Sequence, residues 1–546
     1  MMTTSVAVKI IGAVYKIPLT AYIGAVGRGY FATAYNLYMP LHVVLMGALP
    51  IALSRLISRY NAVGNRQAIA SLRKGAFAVF VGAGVLGTVI IVMAAVPYAV
   101  LVASSPKSVY TVLVLAPSLL FSCIAGCFRS YYEGYLNMVP TAVSQALEAL
   151  CKLLFGLAAA KWSMAFCLSQ WQENGAVLGV PLATSQEALT FIYPLTSAAA
   201  MLGVTFGTFI SMVYTVTYAM LHRDRQLPAG DRRSGITELL HFSFPIMVSC
   251  AVQSVFQFLD TASVQLALSH VSSDAVKALY HSGLRQKAVA DSDLTTYAYG
   301  LFSTALDFKN LVPGITMALG VCAVPAVCRE YERGQHERLA QLMNAVYRYT
   351  MLLSVGGGML MALTAKPLLE LFYQRSDPDI AVGCAPLVQA FAVSVPLYSL
   401  ASTAVFLVQA LGKPQRSVMP YILSGTVRVI LNILLIRNEG LILSGAVIAG
   451  AVGYAVMALM NMVSAARIAC VRPSLSEVFL KPLTAGVIGL FGTKYLFAPL
   501  FNTSRNIFYL LIETAVFSAF FCILCIVLRL IHPKEIFSFV KYKKMA

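Results

Sequence analysis

Apolar runs of about 20 residues or more, the length a helix needs to cross the ~30 Å hydrocarbon core of a bilayer, recur along the whole chain. Fourteen can be read, at approximately 5–25, 33–55, 76–102, 109–128, 138–160, 189–220, 237–267, 296–326, 346–372, 383–411, 417–436, 441–466, 478–499 and 507–530. Inside lipid a spanning backbone has no water to bond, so runs of this length must be helices. The expected fold class is therefore an all-α polytopic membrane protein with about 14 transmembrane helices. Composition supports this: 11% of residues are charged and 59% hydrophobic, well away from the balance of soluble domains.

The formal net charge of +18 does not point to nucleic acid, because the cations concentrate in short alternate loops. Those loops carry Arg59, Arg66, Arg73 and Lys74; Arg129; Arg223, Arg225, Arg232 and Arg233; Arg329, Arg333, Arg338 and Arg348; Lys413 and Arg416; Arg467, Arg472 and Lys481; and Lys534, Lys541, Lys543 and Lys544 in the tail. Positive residues of this kind mark the cytoplasmic side, which places both termini in the cytoplasm. The first segment holds Lys9 and Lys16 within its apolar stretch and shows no clear cleavage site, so it reads as an attached span. The cysteines lie mostly in apolar segments without His or carboxylate neighbours and read as small buried hydrophobes.

The chain also repeats itself. Residues 46–77 resemble 319–350, with Pro50 matching Pro325 and the Tyr60–Gly64 stretch matching Tyr331–Gly334; residues 137–156 resemble 416–435, with Pro140 matching Pro420 and Glu148 matching Arg428. The common offset implies two pseudo-symmetric six-helix lobes in the same orientation, a known transporter plan, plus two C-terminal helices. The expected division is an N-terminal lobe at 1–221, a cytoplasmic linker at 222–236, a C-terminal lobe at 237–467, two further spans at 468–531 and a basic tail at 532–546.

Charges inside spans cost several kcal/mol unless paired or hydrated, which makes them site candidates. Ser144, Gln145, Glu148 and Lys152 share one face of a helix, Arg428 and Asn432 form a similar stripe with Ser424, and Asp260, Asp307 and Asn310 sit among polar neighbours at helical spacing. Glu148 and Lys152, four apart, can simply pair with each other. Lys9 and Lys16 lie seven apart on one face with no acid in their helix, so an anion is the natural partner. Walker A, GxSxG and HExxH motifs are missing from the sequence, as are clustered metal ligands, so the expectation is a transporter without cofactor or metal rather than an enzyme.

The stretch FRSYYEGYLNMVPTAVSQALEALCKLLFG (128–156) resembles the signature of the stage V sporulation protein B group of polysaccharide-biosynthesis membrane proteins. This group is related to the MurJ lipid II flippases within the multidrug/oligosaccharidyl-lipid/polysaccharide exporter superfamily. KIIGAVYKIPLTAYIGAVGRGYFATAYNLY (9–38) and ALPIALSRLISRYNAVG (48–64) are similar to the same group. The resemblance implies a V-shaped pair of lobes that open alternately, and a polyprenyl-diphosphate-linked saccharide as cargo. Its diphosphate would be held by Lys9 and Lys16, with Arg28 at the first outer turn and Arg55 at the end of the second span.

The leading expectation is a flippase for an undecaprenyl-diphosphate-linked precursor. The membrane potential, Na+ or H+ are the candidate energy sources, and Asp260 or Asp307 the candidate ion-coupling groups. The rivals are a multidrug or organic-cation antiporter of the same superfamily and a non-transporting envelope-assembly scaffold. Expected partners are membrane lipids and envelope-synthesis enzymes, with the chain itself a monomer.

Overall fold

The computed structural model describes residues 2–222, 228, 230–279, 289–374, 377–471, 473–496 and 507–530; at 2–11, 13–14, 496 and 507 it describes the backbone alone. Lys9 lies on a helix, but its side chain falls outside the described residues, as do the tail at 532–546 and most of the expected linker's first half. Among the described residues there are sixteen α-helices and one two-stranded hairpin. Twelve segments are long and apolar enough to span a bilayer.

The helices are α1 (Met2–Val63), α2 (Arg66–Pro97), α3 (Ser108–Leu115), α4 (Pro117–Gly134), α5 (Val139–Asn174), α6 (Ser185–Leu221), α7 (Arg232–Leu268) and α8 (Ser273–Leu279). They continue with α9 (Leu294–Lys309), α10 (Leu311–Glu332), α11 (His336–Tyr373), α12 (Pro378–Ala410), α13 (Val418–Ile436), α14 (Leu443–Ala469), α15 (Lys481–Leu496) and α16 (Ile507–Val527). The chain divides into two compact units, 1–303 and 304–546.

Two of the expected spans merge in α1, whose 62 residues are broken at Gly24, where φ is 67°. Straight, it would run about 93 Å, three times the hydrocarbon thickness. The left-handed φ at Gly24 is one that only glycine adopts readily. The count of about 14 therefore fits twelve segments if α1 is divided there and the 16-residue α15 is added.

Three local readings of the sequence are corrected. Arg28 is not at a turn but inside α1, where it is buried. Arg129 is not a loop cation: α4 continues through it to Gly134. The stretch 161–188, left between the spans read at 138–160 and 189–220, is largely helical, because α5 runs on to Asn174 and stops at Gly175 in the left-handed conformation. A short antiparallel hairpin then pairs Ala176–Val177 with Val180–Pro181. Thr184 and Glu187 close a reciprocal capping box that starts α6.

The sequence repeat has a structural counterpart in each unit. Gly64, between α1 and α2, has φ 72°, and Gly334, between α10 and α11, has φ 67°. At the first turn Asn65 N–H donates to the Tyr60 carbonyl (3.0 Å) and Arg66 N–H to that of Gly64 (3.0 Å). At the second, Gln335 donates to Glu330 (3.2 Å) and His336 to Gly334 (3.0 Å). These are one helix-stop motif used twice, and it sets Tyr60 opposite Glu330, one residue off the pairing with Tyr331 read from the sequence.

Each unit has its own core. In the first, Tyr15, Leu19, Ile23 and Phe31 of α1 pack with Ile91 and Ala95 of α2 and Leu115 at the end of α3. In the second, α10, α11, α12 and α14 share a cluster built around Val327, Val346, Tyr347, Leu407 and Met462. The start of α9 belongs to the first unit, where side chains on Gly29 or Gly300 would collide with the Thr296 and Ala25 carbonyls. Tyr30 anchors the same region by donating to Asp293 Oδ1 at 2.9 Å.

Candidate functional site

In the first unit, α4, α5 and α6 bring a charged cluster together within the spans. Arg129 Nε donates to Ser144 Oγ (2.7 Å) and its Nη2 to Glu148 Oε2 (3.1 Å). The same Nη2 reaches Ser211 Oγ on α6. Glu148 also takes Lys152 Nζ on Oε1 at 2.8 Å. One carboxylate thus faces two cations, and the cluster keeps a net positive charge. The spacing of Ser144, Glu148 and Lys152 on one face was legible in the sequence; the third helix partner, Arg129, was not. Gln145 is half-buried beside them.

The residues expected to hold a diphosphate are dispersed by environment. Lys16 is half-buried, and its carbonyl accepts the Thr20 hydroxyl at 2.9 Å. Arg28 is 3% exposed and lies over the Phe31 ring at 5.3 Å. Arg55 is exposed, with its guanidinium 6.0 Å from the centre of the Phe242 ring.

The second unit holds a different arrangement. Lys309, at the end of α9, is 3% exposed. Its ammonium stands 4.5 Å from the Tyr454 ring centre, 4.8 Å from Tyr398 and 5.5 Å from Phe391, all within cation–π range. It also donates to the Tyr454 hydroxyl at 3.0 Å. Arg428 on α13 meets the same Tyr454 ring at 4.6 Å. Gly453 makes that possible, since a Cβ there would overlap the Arg428 Cγ and Cδ. Asn432 and Ser424 are buried on the same helix, as their spacing required. Lys309 falls inside the span read at 296–326, but local spacing does not connect it with Tyr398 or Tyr454, which come from α12 and α14.

The candidate coupling residues are drawn from both units. Asp260 is half-buried in the first unit and its carbonyl accepts Ser263 Oγ at 2.7 Å. Asp307 is half-buried and Asn310 exposed, both in the second unit.

Long apolar helices in two units, each of which also buries charged residues, define a multi-pass membrane protein. Residues 1–179 match the family model described as "Polysaccharide biosynthesis protein", and residues 295–434 the one described as "MatE". The chain is 23% identical over 461 residues to the lipid II flippase MurJ of Bacillus subtilis (strain 168), covering 82% of this chain and 77% of that protein. It is 20% identical over 536 residues to stage V sporulation protein B of the same organism, covering 98% and 95%. Its fold is similar to that of a lipid II flippase MurJ in an inward closed conformation, with TM-score 0.66 and 13% identity over 97% of this chain and 98% of that one. An inward-facing multidrug resistance MATE family transporter of the MOP superfamily gives TM-score 0.60 and 15% identity over 84% and 98%. The two family models and the two Bacillus subtilis relatives agree: the chain is similar to the MurJ and stage V sporulation protein B group.

Proposed function

We propose that this protein is a flippase that carries an undecaprenyl-diphosphate-linked cell-wall or polysaccharide precursor, of the lipid II kind, from the inner to the outer leaflet by alternating access. The observation that carries the reading is the sign of the intramembrane charge in the first unit. Lys16, Arg28, Arg129 and Lys152 are set within α1, α4 and α5, and among the described residues Glu148 is the one carboxylate paired with the last two. A diphosphate crossing hydrocarbon needs such cations in place of its water, while a polyprenyl tail can stay in lipid. The name of one relative, the lipid II flippase MurJ of Bacillus subtilis (strain 168), supports the same cargo class.

An organic-cation antiporter would need acidic, aromatic surroundings for its substrate. In the second unit the aromatic surroundings exist, but the chain's own Lys309 occupies them. That observation argues against the antiporter. In this reading the protein works as a monomer in the bacterial cytoplasmic membrane with both termini inside. The cycle is biased by the membrane potential acting on cavity charge, at ~2.3 kcal/mol per charge per 100 mV, or by Na+ or H+ through Asp260 or Asp307.

Translocation of a fluorescent polyprenyl-diphosphate saccharide in proteoliposomes is the direct test, with wild type beside Lys9→Ala, Lys16→Ala and Lys16→Glu. Loss in the charge-reversed protein with unchanged melting supports the flippase. Full activity in all three variants would sink the role of the first helix, and uptake of an organic cation instead of the lipid would favour the antiporter. No transport of either by the wild type would favour the scaffold.

A further inference from the structure

At one end of the first unit, α4 floors a groove of about 700 Å³, walled by α2 and α6 and closed by the start of α7. Its lining changes character with depth along α2 and α4. Nearest the helix ends lie Arg73 and Lys74 on α2, Arg232 on α7, and the tyrosines Tyr131 and Tyr132 on α4. About one turn further in come Phe77 and Phe128, with ring centres 6.0 Å apart, and Val216 lies at a similar depth on α6. Phe77 is 47% exposed, so this wall presents apolar area that the protein itself leaves uncovered.

The three cations do not neutralise themselves locally. Lys74 Nζ donates to the Gly230 carbonyl at 3.3 Å, a neutral partner. Among the described residues none of Arg73, Lys74 and Arg232 takes part in an ion pair. A soluble ligand would find no use for the aromatic lower zone, and a neutral apolar one would leave three positive groups facing it. A molecule with a phosphate at one end and a hydrocarbon chain at the other satisfies both zones at once.

We propose that this groove is a binding site for one anionic phospholipid. Its phosphate lies against Arg73, Lys74 and Arg232, and an acyl chain runs down over Phe77 and Phe128. The site is separate from the half-buried Arg129–Glu148–Lys152 cluster and from the first-helix lysines, and it does not depend on what the protein carries. The bound lipid ties the ends of α2, α4, α6 and α7 together, so it sets how freely those ends part. Basic residues just beside a leaflet each raise affinity for anionic lipid about five-fold, and three lining one groove make a retained molecule rather than a passing one.

Native mass spectrometry of the detergent-purified full chain reads retained lipid directly. Titration with phosphatidylglycerol should show one molecule held in preference to phosphatidylcholine. The Arg73→Ala/Arg232→Ala protein should bind it about thirty-fold more weakly, as expected for two lost cations. Arg73→Lys/Arg232→Lys, which keeps the charge, should retain it, and this second variant separates loss of the site from loss of the fold. Phosphatidylglycerol should also raise the melting temperature of the wild type more than that of the alanine variant. Equal retention by wild type and alanine variant would overturn the proposal, as would equal retention of phosphatidylcholine. Displacement of the lipid by millimolar inorganic phosphate would likewise overturn it, since the site would then read free phosphate and not a lipid.

Discussion

The ammonium of Lys309 lies 3.0 Å from the Tyr454 hydroxyl and 4.5 Å from the centre of the same residue's ring. One side chain thus offers it both an oxygen and a π face. A lysine buried this deeply is stable only while those partners remain, and its removal relieves a charge-burial cost that removal of its partner does not. Tyr454→Phe keeps the ring but takes away the oxygen, and should destabilise the protein by about 1.5–3 kcal/mol, the worth of a hydrogen bond to a charged group. Lys309→Met keeps most of the volume and should be near neutral. In Lys309→Met/Tyr454→Phe the cost of the phenylalanine should largely vanish, which a double-mutant cycle of detergent melting would read. Additive effects would mean that the two groups do not depend on each other.

Glu148 is the shared counter-charge of Arg129 and Lys152, at 3.1 and 2.8 Å. Losing it leaves two cations facing each other within the spans, whereas losing either cation leaves one good pair. Glu148→Gln should therefore cost ~3–5 kcal/mol, and Lys152→Met or Arg129→Met clearly less. Restoration of melting in Glu148→Gln/Lys152→Met would confirm that the excess positive charge, not the lost carboxylate shape, is the cause. If Glu148→Gln melted with the wild type, the pairing would not matter to the fold.

Span positions were legible because hydropathy sums over some twenty residues, and tertiary context rarely overturns a sum that large. The polar face of α5 was legible for a similar reason, since Ser144, Glu148 and Lys152 follow from helical spacing alone. What stayed hidden needed neighbours distant in sequence. Arg129 reads as a loop cation because RSYYEG looks like a turn, and only the packing of α4 on α5 and α6 shows it as the partner of Glu148 and Ser211. The cage of Lys309 draws Phe391, Tyr398 and Tyr454 from two other helices, and no local spacing foretells that. The helical extension 161–174 was missed because its mixed polarity lacks the uniform apolar signal by which spans are read, although Gly175 marks its end.

The paired helix stops at Gly64 and Gly334 give the repeat an energetic test. Both glycines are left-handed, with φ 72° and 67°, and a Cβ built on either meets nothing within 4 Å. Substitution there is opposed by backbone strain alone. Gly64→Ala and Gly334→Ala should each cost about 1–2 kcal/mol, with asparagine costing less at both. Similar melting shifts at the two positions are expected if the turns are equivalent, and a large cost at one with none at the other would count against it. Gly453→Ala is a useful contrast, because its penalty would come from collision with Arg428 and should be eased by Arg428→Ala.

Arg28 and Arg55 carry the same charge in different surroundings, and that difference predicts their weight in transport. Arg28 is 3% exposed in α1, whereas Arg55 is exposed beside Phe242. A charge removed from water acts on a phosphate through a lower effective dielectric, so its interaction is several times stronger than that of a solvated one. If the cargo is a lipid diphosphate, Arg28→Gln should slow its translocation about ten-fold or more, corresponding to ~1.4 kcal/mol or more. Arg55→Gln should leave the rate within about two-fold. Melting and size exclusion on both variants must first show an intact fold, since Arg28 is also packed on Phe31. Arg28→Lys should recover part of the rate, because it restores the charge without the planar guanidinium. Should Arg55→Gln prove the more damaging change, recognition of the headgroup would lie at the exposed end of this helix rather than within the span.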